Sequence, residues 1–249
     1  MSRGVVRWVS AVFAGLVVTL VAGAIARSPR LATLTAGGAG PPTFVLLHGY
    51  GSTPEAWLPF SRTIALPPRG RFVFPRGPEA TLPPDGPVGG RAWWRLDLAR
   101  HIPAGSVLPD LSATRPPGIV QAASLVRATL ADAPRGPLLL GGFSQGAMVA
   151  AEIAFASDQR LTALVLLSSS IVDEAKWERG MARRRGLPVF ISHGRRDEIL
   201  PFEVAERLGR KLESAGLRVT WLPFEGGHEI PAEVVAGLNA FLRGIPLGS

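Results

Sequence analysis

The passage Leu138–Ala154, LLLGGFSQGAMVAAEIA, restricts the fold more than any other part of this 249-residue chain. A short apolar run passes directly into a helical pattern, with a lone serine, Ser144, set between Gly142 and Gly146. A serine that only caps a helix needs neither glycine. A serine held at the apex of a sharp strand-to-helix turn needs both, because side chains at the flanks would collide there. Such a turn lifts the serine Oγ above the sheet and aims the first helix amides at a reacting carbonyl. Gly-x-Ser-x-Gly is a weak signal by itself; its place between an apolar run and a helix selects the functional reading.

The rest of the chain supplies a matching frame. From Thr43 onward, short apolar runs alternate with helical patterns. Strands are expected over Phe44–Leu47, Phe72–Phe74, Leu138–Leu140, Leu161–Leu167, Val189–Ser192 and Arg218–Leu222, several of them too uniformly apolar to be half exposed. Helices are expected over Gly118–Ala131, Ala147–Ala156, Phe202–Ala215 and Ala232–Leu242, with Gly216 placed to end the third. The alternation predicts an α/β fold with a doubly wound, mostly parallel sheet. In such a sheet, chemistry gathers at the carboxyl ends of the strands.

A serine hydroxyl needs a base to become a nucleophile near neutral pH. Of the four histidines, His228 in PFEGGHEIP follows the last strand on a glycine-rich loop, where a base belongs. His193, ending a strand in VFISHGRRDEILP, reads as a buried or hydrogen-bonded structural residue, His48 in LLHGYG as a brace behind the site, and His101 has no motif around it. An imidazole base needs a carboxylate to hold its tautomer and to stabilise the imidazolium. Asp197, four residues after His193, is the candidate, with Glu198 as its neighbouring rival. The chain order Ser, Asp, His is that of an α/β-hydrolase. The oxyanion of a tetrahedral intermediate needs donors already in place. The backbone amides of Gln145, next to the nucleophile, and of Tyr50, in HGYG after an early strand, are the candidates.

The amino terminus and the net charge of +8 set the surroundings. Trp8–Ala26 is an uncharged stretch of nineteen residues flanked by Arg3, Arg7, Arg27 and Arg30, which account for half of the net charge. Its length approaches the roughly 20 apolar residues that span a bilayer, while Ala24-Ile25-Ala26 resembles a signal-peptidase site. Residues 1–30 are therefore expected as a signal peptide or a membrane anchor, 31–42 as a linker, and 43–249 as one catalytic domain lying outside the cytoplasm. The remaining charge is mild, and the cluster Arg183–Arg185 lacks the interleaved aromatics of a base-stacking platform, which argues against a nucleic-acid partner. The chain has no cysteine, which excludes disulfides and thiolate chemistry.

In order, VLLHGYGSTPEAW, FPRGP, GGRAWW, GGFSQGAMVA, SHGRRDEILP and FEGGHEI resemble the phospholipase/carboxylesterase family of α/β-hydrolases, which includes acyl-protein thioesterases and bacterial carboxylesterases. The resemblance covers about Pro42 to Leu242. It implies that Ser144, Asp197 and His228 are the catalytic triad, that the Tyr50 and Gln145 amides form the oxyanion hole, and that Trp93 lines the substrate cleft or packs in the core. Many members are cytoplasmic, and the apolar leader here departs from them.

The chemistry expected is that of a serine carboxylesterase. It would act through an acyl-enzyme on a small-molecule ester, with no metal or organic cofactor. The segment Ser168–Leu187 is too short for a large lid, so an open, modest apolar cleft is expected. That favours small to medium acyl or aryl esters, or a lysophospholipid presented at a membrane. A thioesterase or dienelactone-type hydrolase is the alternative, and a membrane-tethered, non-catalytic binding protein is a further one.

Overall fold

The computed structural model describes residues 29–83, 85–96, 108–131 and 133–248. The leader Trp8–Ala26 and His101 lie outside them, and among the described residues no helix is long and apolar enough to cross a membrane. Seven strands form one sheet in the order β1-β3-β2-β6-β7-β8-β9, namely β1 (Thr33–Gly37), β2 (Thr43–Leu47), β3 (Arg71–Pro75), β6 (Leu138–Phe143), β7 (Ala163–Leu167), β8 (Pro188–Gly194) and β9 (Arg218–Phe224). All neighbours are parallel except β1 with β3. A separate two-residue ribbon joins β4 (Glu79–Ala80) to β5 (Arg91–Ala92). The helices are α1 (Leu58–Ser61), α2 (Ile119–Leu130), α3 (Gln145–Ala156), α4 (Glu174–Met181), α5 (Phe202–Ser214) and α6 (Ala232–Arg243).

Burial explains the topology. Every residue of β2, β7 and β8 is buried, so these strands need cover on both faces, and helices supply it. On one face α2, α3, α4 and α5 close a cluster that includes Val45, Leu140, Leu166, Trp177 and Leu208. On the other, α6 closes Phe44, Phe74, Val165 and Phe190 with Val234, Leu238 and Leu242. The expected α/β class and mostly parallel sheet are thus present. The crossover from β7 to β8 contains only the eight-residue α4 and a short 3-10 turn, with no large lid in it.

One sequence expectation changes. Residues 31–42, expected as a linker, contain β1, which pairs with the edge of β3 from Thr33↔Pro75 to Gly37↔Arg71. Thr-Leu-Thr-Ala alternates, and Leu34 and Ala36 pack on the second cluster. Five residues with two apolar contacts are overridden in a sequence reading by the neighbouring glycines and prolines, yet they suffice once an edge strand offers open hydrogen bonds. Within the arginine cluster, Arg183 and Arg185 are exposed, and two of the side chains reach back to α3. Arg184 donates to the carbonyls of Ala154 and Ser157, both at 2.7 Å, and Arg183 reaches Phe155 O at 3.3 Å. These side chains satisfy the orphan carbonyls at the end of α3, where positive charge also complements the helix dipole.

Candidate active site

Ser144 sits between β6 and α3 with φ 55° and ψ −122°, a left-handed conformation uncommon outside glycine. Its amide donates to Leu167 O of β7 at 2.9 Å, and its carbonyl accepts from Ala147 N at 3.0 Å, so both sides of the turn are tied. The flanking glycines are required by close approach. A Cβ at Gly142 would lie 2.4 Å from the Gly146 carbonyl carbon, and one at Gly146 would lie 2.2 Å from Leu47 O and 2.5 Å from His48 O. The elbow therefore folds on itself and rests on the end of β2. Eleven of the twelve α3 residues are buried, which anchors it in the protein centre.

Asp197 and His228 meet across two loops. His228 Nδ1 lies 2.7 Å from Asp197 Oδ2. Asp197 Oδ1 accepts from the amides of Ile199 at 2.9 Å and Leu200 at 2.8 Å. Burial would push the Asp197 carboxyl up, but hydrogen bonds from His193 and His228, the His228 charge and the Leu200 amide hold it well below the usual carboxylate range. Glu198, the rival, is exposed. The two loops are joined by backbone bonds from Arg195 N to Phe224 O and Arg196 N to Gly226 O, both 2.9 Å. Gly194 permits this approach, since a Cβ there would lie 2.2 Å from Gly227 O. The His228 ring packs on Phe143, with centroids 4.7 Å apart, which brings the imidazole beside the residue that precedes Ser144.

His193 is fully buried, and its Nε2 lies 3.2 Å from Asp197 Oδ2 and 3.1 Å from Leu200 O. The structural role expected for it takes a specific form, a second imidazole on the carboxylate that holds His228. His48 braces the HGYG loop as expected. Its Nδ1 donates to Gly49 O at 2.8 Å and its Nε2 accepts from Gly77 N at 3.0 Å, which assigns the neutral tautomer. Burial is the main reason its pKa drops to about 4. The loop then runs past the elbow, where a Cβ at Gly49 would lie 3.5 Å from Ser144 Cβ, and the next residue, Tyr50, lines the cleft. The Gln145 amide is the first of α3, where helix amides lack an intrahelical partner.

Trp93 is not at the cleft. It is 1% exposed, its indole stacks on His48 at 5.1 Å, and its Nε1 donates to His48 O at 2.7 Å. An aromatic in a family motif signals burial as readily as contact, and the hydrogen bond at the indole decides for burial. The open cleft beside Ser144, about 290 Å³, is lined instead by Gly49, Tyr50, Ser52, Ala56, Trp57, Phe60, Phe143 and Ile230. Of these, the sequence marked Tyr50 alone, for its amide. Phe143 stood within the Gly-x-Ser-x-Gly pattern, while Trp57, Phe60 and Ile230 carried no signal that separates lining from core. Among the described residues, no group of three or more His, Cys, Asp or Glu could hold a metal ion.

Comparison with known proteins finds relatives over most of the chain. The model of the phospholipase/carboxylesterase family matches residues 35–245. An acyl-protein thioesterase 1 of Eremothecium gossypii is 28% identical over 213 residues, covering 80% of this chain and 86% of that protein. The crystal structure of esterase PE8 superposes with a TM-score of 0.72 at 27% identity, covering 87% of this chain and all of that one. Zea mays acyl-protein thioesterase 2 shares the fold at a TM-score of 0.69 and 22% identity, over 86% of this chain and 98% of that one.

Proposed function

The chain belongs to the phospholipase/carboxylesterase family and is a hydrolase of ester bonds, and from that premise we propose a serine carboxylesterase in which Ser144 is the nucleophile, His228 the base and Asp197 its partner. The observation that carries this reading is the 2.7 Å bond between His228 Nδ1 and Asp197 Oδ2. It holds the proton on Nδ1 and leaves Nε2 as the basic lone pair.

Nε2 takes the Ser144 proton as Oγ adds to the ester carbonyl carbon. The amides of Tyr50 and Gln145 receive the developing oxyanion. Collapse breaks the bond to the alkoxide, which leaves with the proton from the imidazolium, and Asp197 stabilises that imidazolium while it lasts. Water then repeats the sequence on the acyl-enzyme: Nε2 takes its proton, its oxygen displaces Ser144 Oγ, which takes that proton back from the imidazolium, and the carboxylic acid departs.

The cleft, about 290 Å³ and walled by Trp57, Phe60, Phe143 and Ile230, suits small to medium acyl or aryl esters and the acyl end of a lysophospholipid. A second reading, hydrolysis of thioesters by the same residues, is favoured by the thioesterase relatives. In both, the leader Trp8–Ala26 places the catalytic body outside the cytoplasm, which fractionation of the tagged full chain checks. The test of function is hydrolysis of p-nitrophenyl esters from acetate to palmitate, beside matched thioesters, by the full chain and its Ser144→Ala variant. Activity abolished in the variant and highest on the shorter oxyesters is the expected result. Undiminished activity of Ser144→Ala would remove the mechanism, and a preference for thioesters would select the second reading.

A further inference from the structure

The buried Trp93 belongs to the core cluster, yet its polar contacts do more than fill that core. The four residues Arg91–Trp94 run between the two loops that bring the oxyanion donors, and they are bonded to both. On one side they grip the HGYG loop on each flank of Tyr50. Before it, Trp93 Nε1 donates to His48 O at 2.7 Å. After it, Gly51 N donates to Arg91 O and Arg91 N donates to Ser52 O, each at 2.9 Å. On the other side they are held by the Gln145 side chain, which is 2% exposed. Its Oε1 accepts from Trp93 N at 2.9 Å and its Nε2 donates to Trp94 O at 2.9 Å. The oxygen and the nitrogen of the amide each bond to this segment, so its orientation is assigned by its partners.

The two amides that face the reacting carbonyl belong to different elements, a loop after β2 and the start of α3. Their spacing is set only if something rigid spans the two. Gly146 supplies one contact, backbone against backbone beneath the elbow. Trp93 supplies the other, because one residue donates from its indole to the Tyr50 side and from its backbone to the Gln145 side. Its ring is also held against His48, tilted by 31°.

We propose that Trp93 is a positioning residue that couples the two oxyanion donors, with the Gln145 side chain as its partner, so that the amides of Tyr50 and Gln145 keep a fixed separation through the reaction. It touches no substrate. Its effect falls on the transition state, where the oxyanion forms, and leaves ground-state binding in the cleft unchanged. This rests on the reading of Ser144 as nucleophile with these two amides as donors.

Trp93→Phe tests it, since phenylalanine keeps an aromatic ring and the backbone amide and removes the indole donor together with part of the ring. With one oxyanion donor commonly contributing 10²- to 10³-fold, loosening the spacing should lower kcat by about 10- to 100-fold while KM stays within about two-fold. Affinity for an alkyl trifluoromethyl ketone, whose adduct with serine carries the oxyanion, should fall by the same factor, and affinity for the product carboxylate should not. Unchanged kcat and ketone affinity would overturn the proposal, and so would a loss confined to KM, which would return Trp93 to the substrate cleft. If Trp93→Phe does not fold, Gln145→Met, which keeps the backbone donor and removes both side-chain bonds, decides by the same two readouts. Ser144→Ala separates the two levels. Activity surviving in Ser144→Ala removes the nucleophile reading, whereas an inactive Ser144→Ala beside a fully active Trp93→Phe removes only the coupling.

Discussion

Ser144 and His228 stand at the same edge of the sheet, but the elbow and the base loop are held by different forces. The elbow lies at the centre of the sheet, between β2 and β7, and steric closure fixes it: its glycines have no room for a methyl group, its serine is forced to positive φ, and its helix is buried nearly all round. The base loop follows β9, the edge strand, which is partly exposed. Polar bonds from Asp197 and from the backbone of the acid loop hold it, beside the close approach of Gly194 and the contact of the His228 ring with Phe143. A nucleophile must keep one angle to an incoming carbonyl, which hard contacts enforce. A base must move a proton to and fro, and a hydrogen-bonded ring in a less crowded loop allows the small adjustments that this needs.

The largest effect should come from cutting the polar hold. In Asp197→Asn the tautomer of His228 is no longer enforced, and kcat should fall by about 10⁴-fold, the loss seen when the same bond is altered in the serine-protease triad. The acid limb of stability should change with it. Because the folded carboxyl titrates below its usual value of 3.8, its contribution is present above that pH and lost as pH falls below it. Urea midpoints from pH 4.5 to 2.5 should therefore fall less steeply in the variant than in the wild type, and parallel slopes would count against the bond.

Steric hold is tested by adding one methyl group to each region. Gly146→Ala drives a Cβ into two carbonyl oxygens and should cost about 3 kcal/mol, at the upper end for overpacking. Gly227→Ala, beside His228, meets nothing closer than Arg196 O at 3.7 Å and should stay within about 0.5 kcal/mol. Equal denaturation midpoints for the two variants would erase the distinction.

His48, on whose carbonyl the elbow rests, titrates in a separate window. With its folded pKa lowered to about 4 from 6.5, the unfolded chain binds the proton first as the medium becomes acidic. Stability is full above pH 6.5 and is lost as pH falls towards 4, by about 3 kcal/mol at 1.36 kcal/mol per unit. His48→Gln should flatten that part of the curve, and a wild-type curve already flat there would show that the ring is solvated.

The smallest effect is a gain. Ser144→Gly relieves the left-handed backbone and should stabilise the inactive protein by about 1 kcal/mol in chemical denaturation. No gain would mean that the elbow stores no strain.

Much of this was legible in the residues. Uniform apolar runs marked β2, β7 and β8 because a strand buried on both faces tolerates nothing else, and the glycines around Ser144 were readable because only closure demands them. Asp197 could be paired with His228 by order and loop position, though its advantage over Glu198 is visible only in the folded protein. β1 was hidden because an edge strand has few contacts of its own and takes its stability from the strand it joins. Trp93 was readable as important and not as buried, since an aromatic residue in a short polar context fits a cleft wall and a core brace equally well.

The sequence by itself determined the parallel frame, the elbow and the three residues most suited to acyl transfer, because periodicity, close packing and acid–base chemistry each leave a local mark. Only the tertiary structure decided which side chains wall the cleft, that His193 shares the Asp197 carboxylate, and that Trp93 and the Gln145 side chain bridge the HGYG loop and the start of α3. Those relations join residues far apart in the chain, and a hydrogen bond or a shared wall between distant segments exists only after the sheet has brought them together.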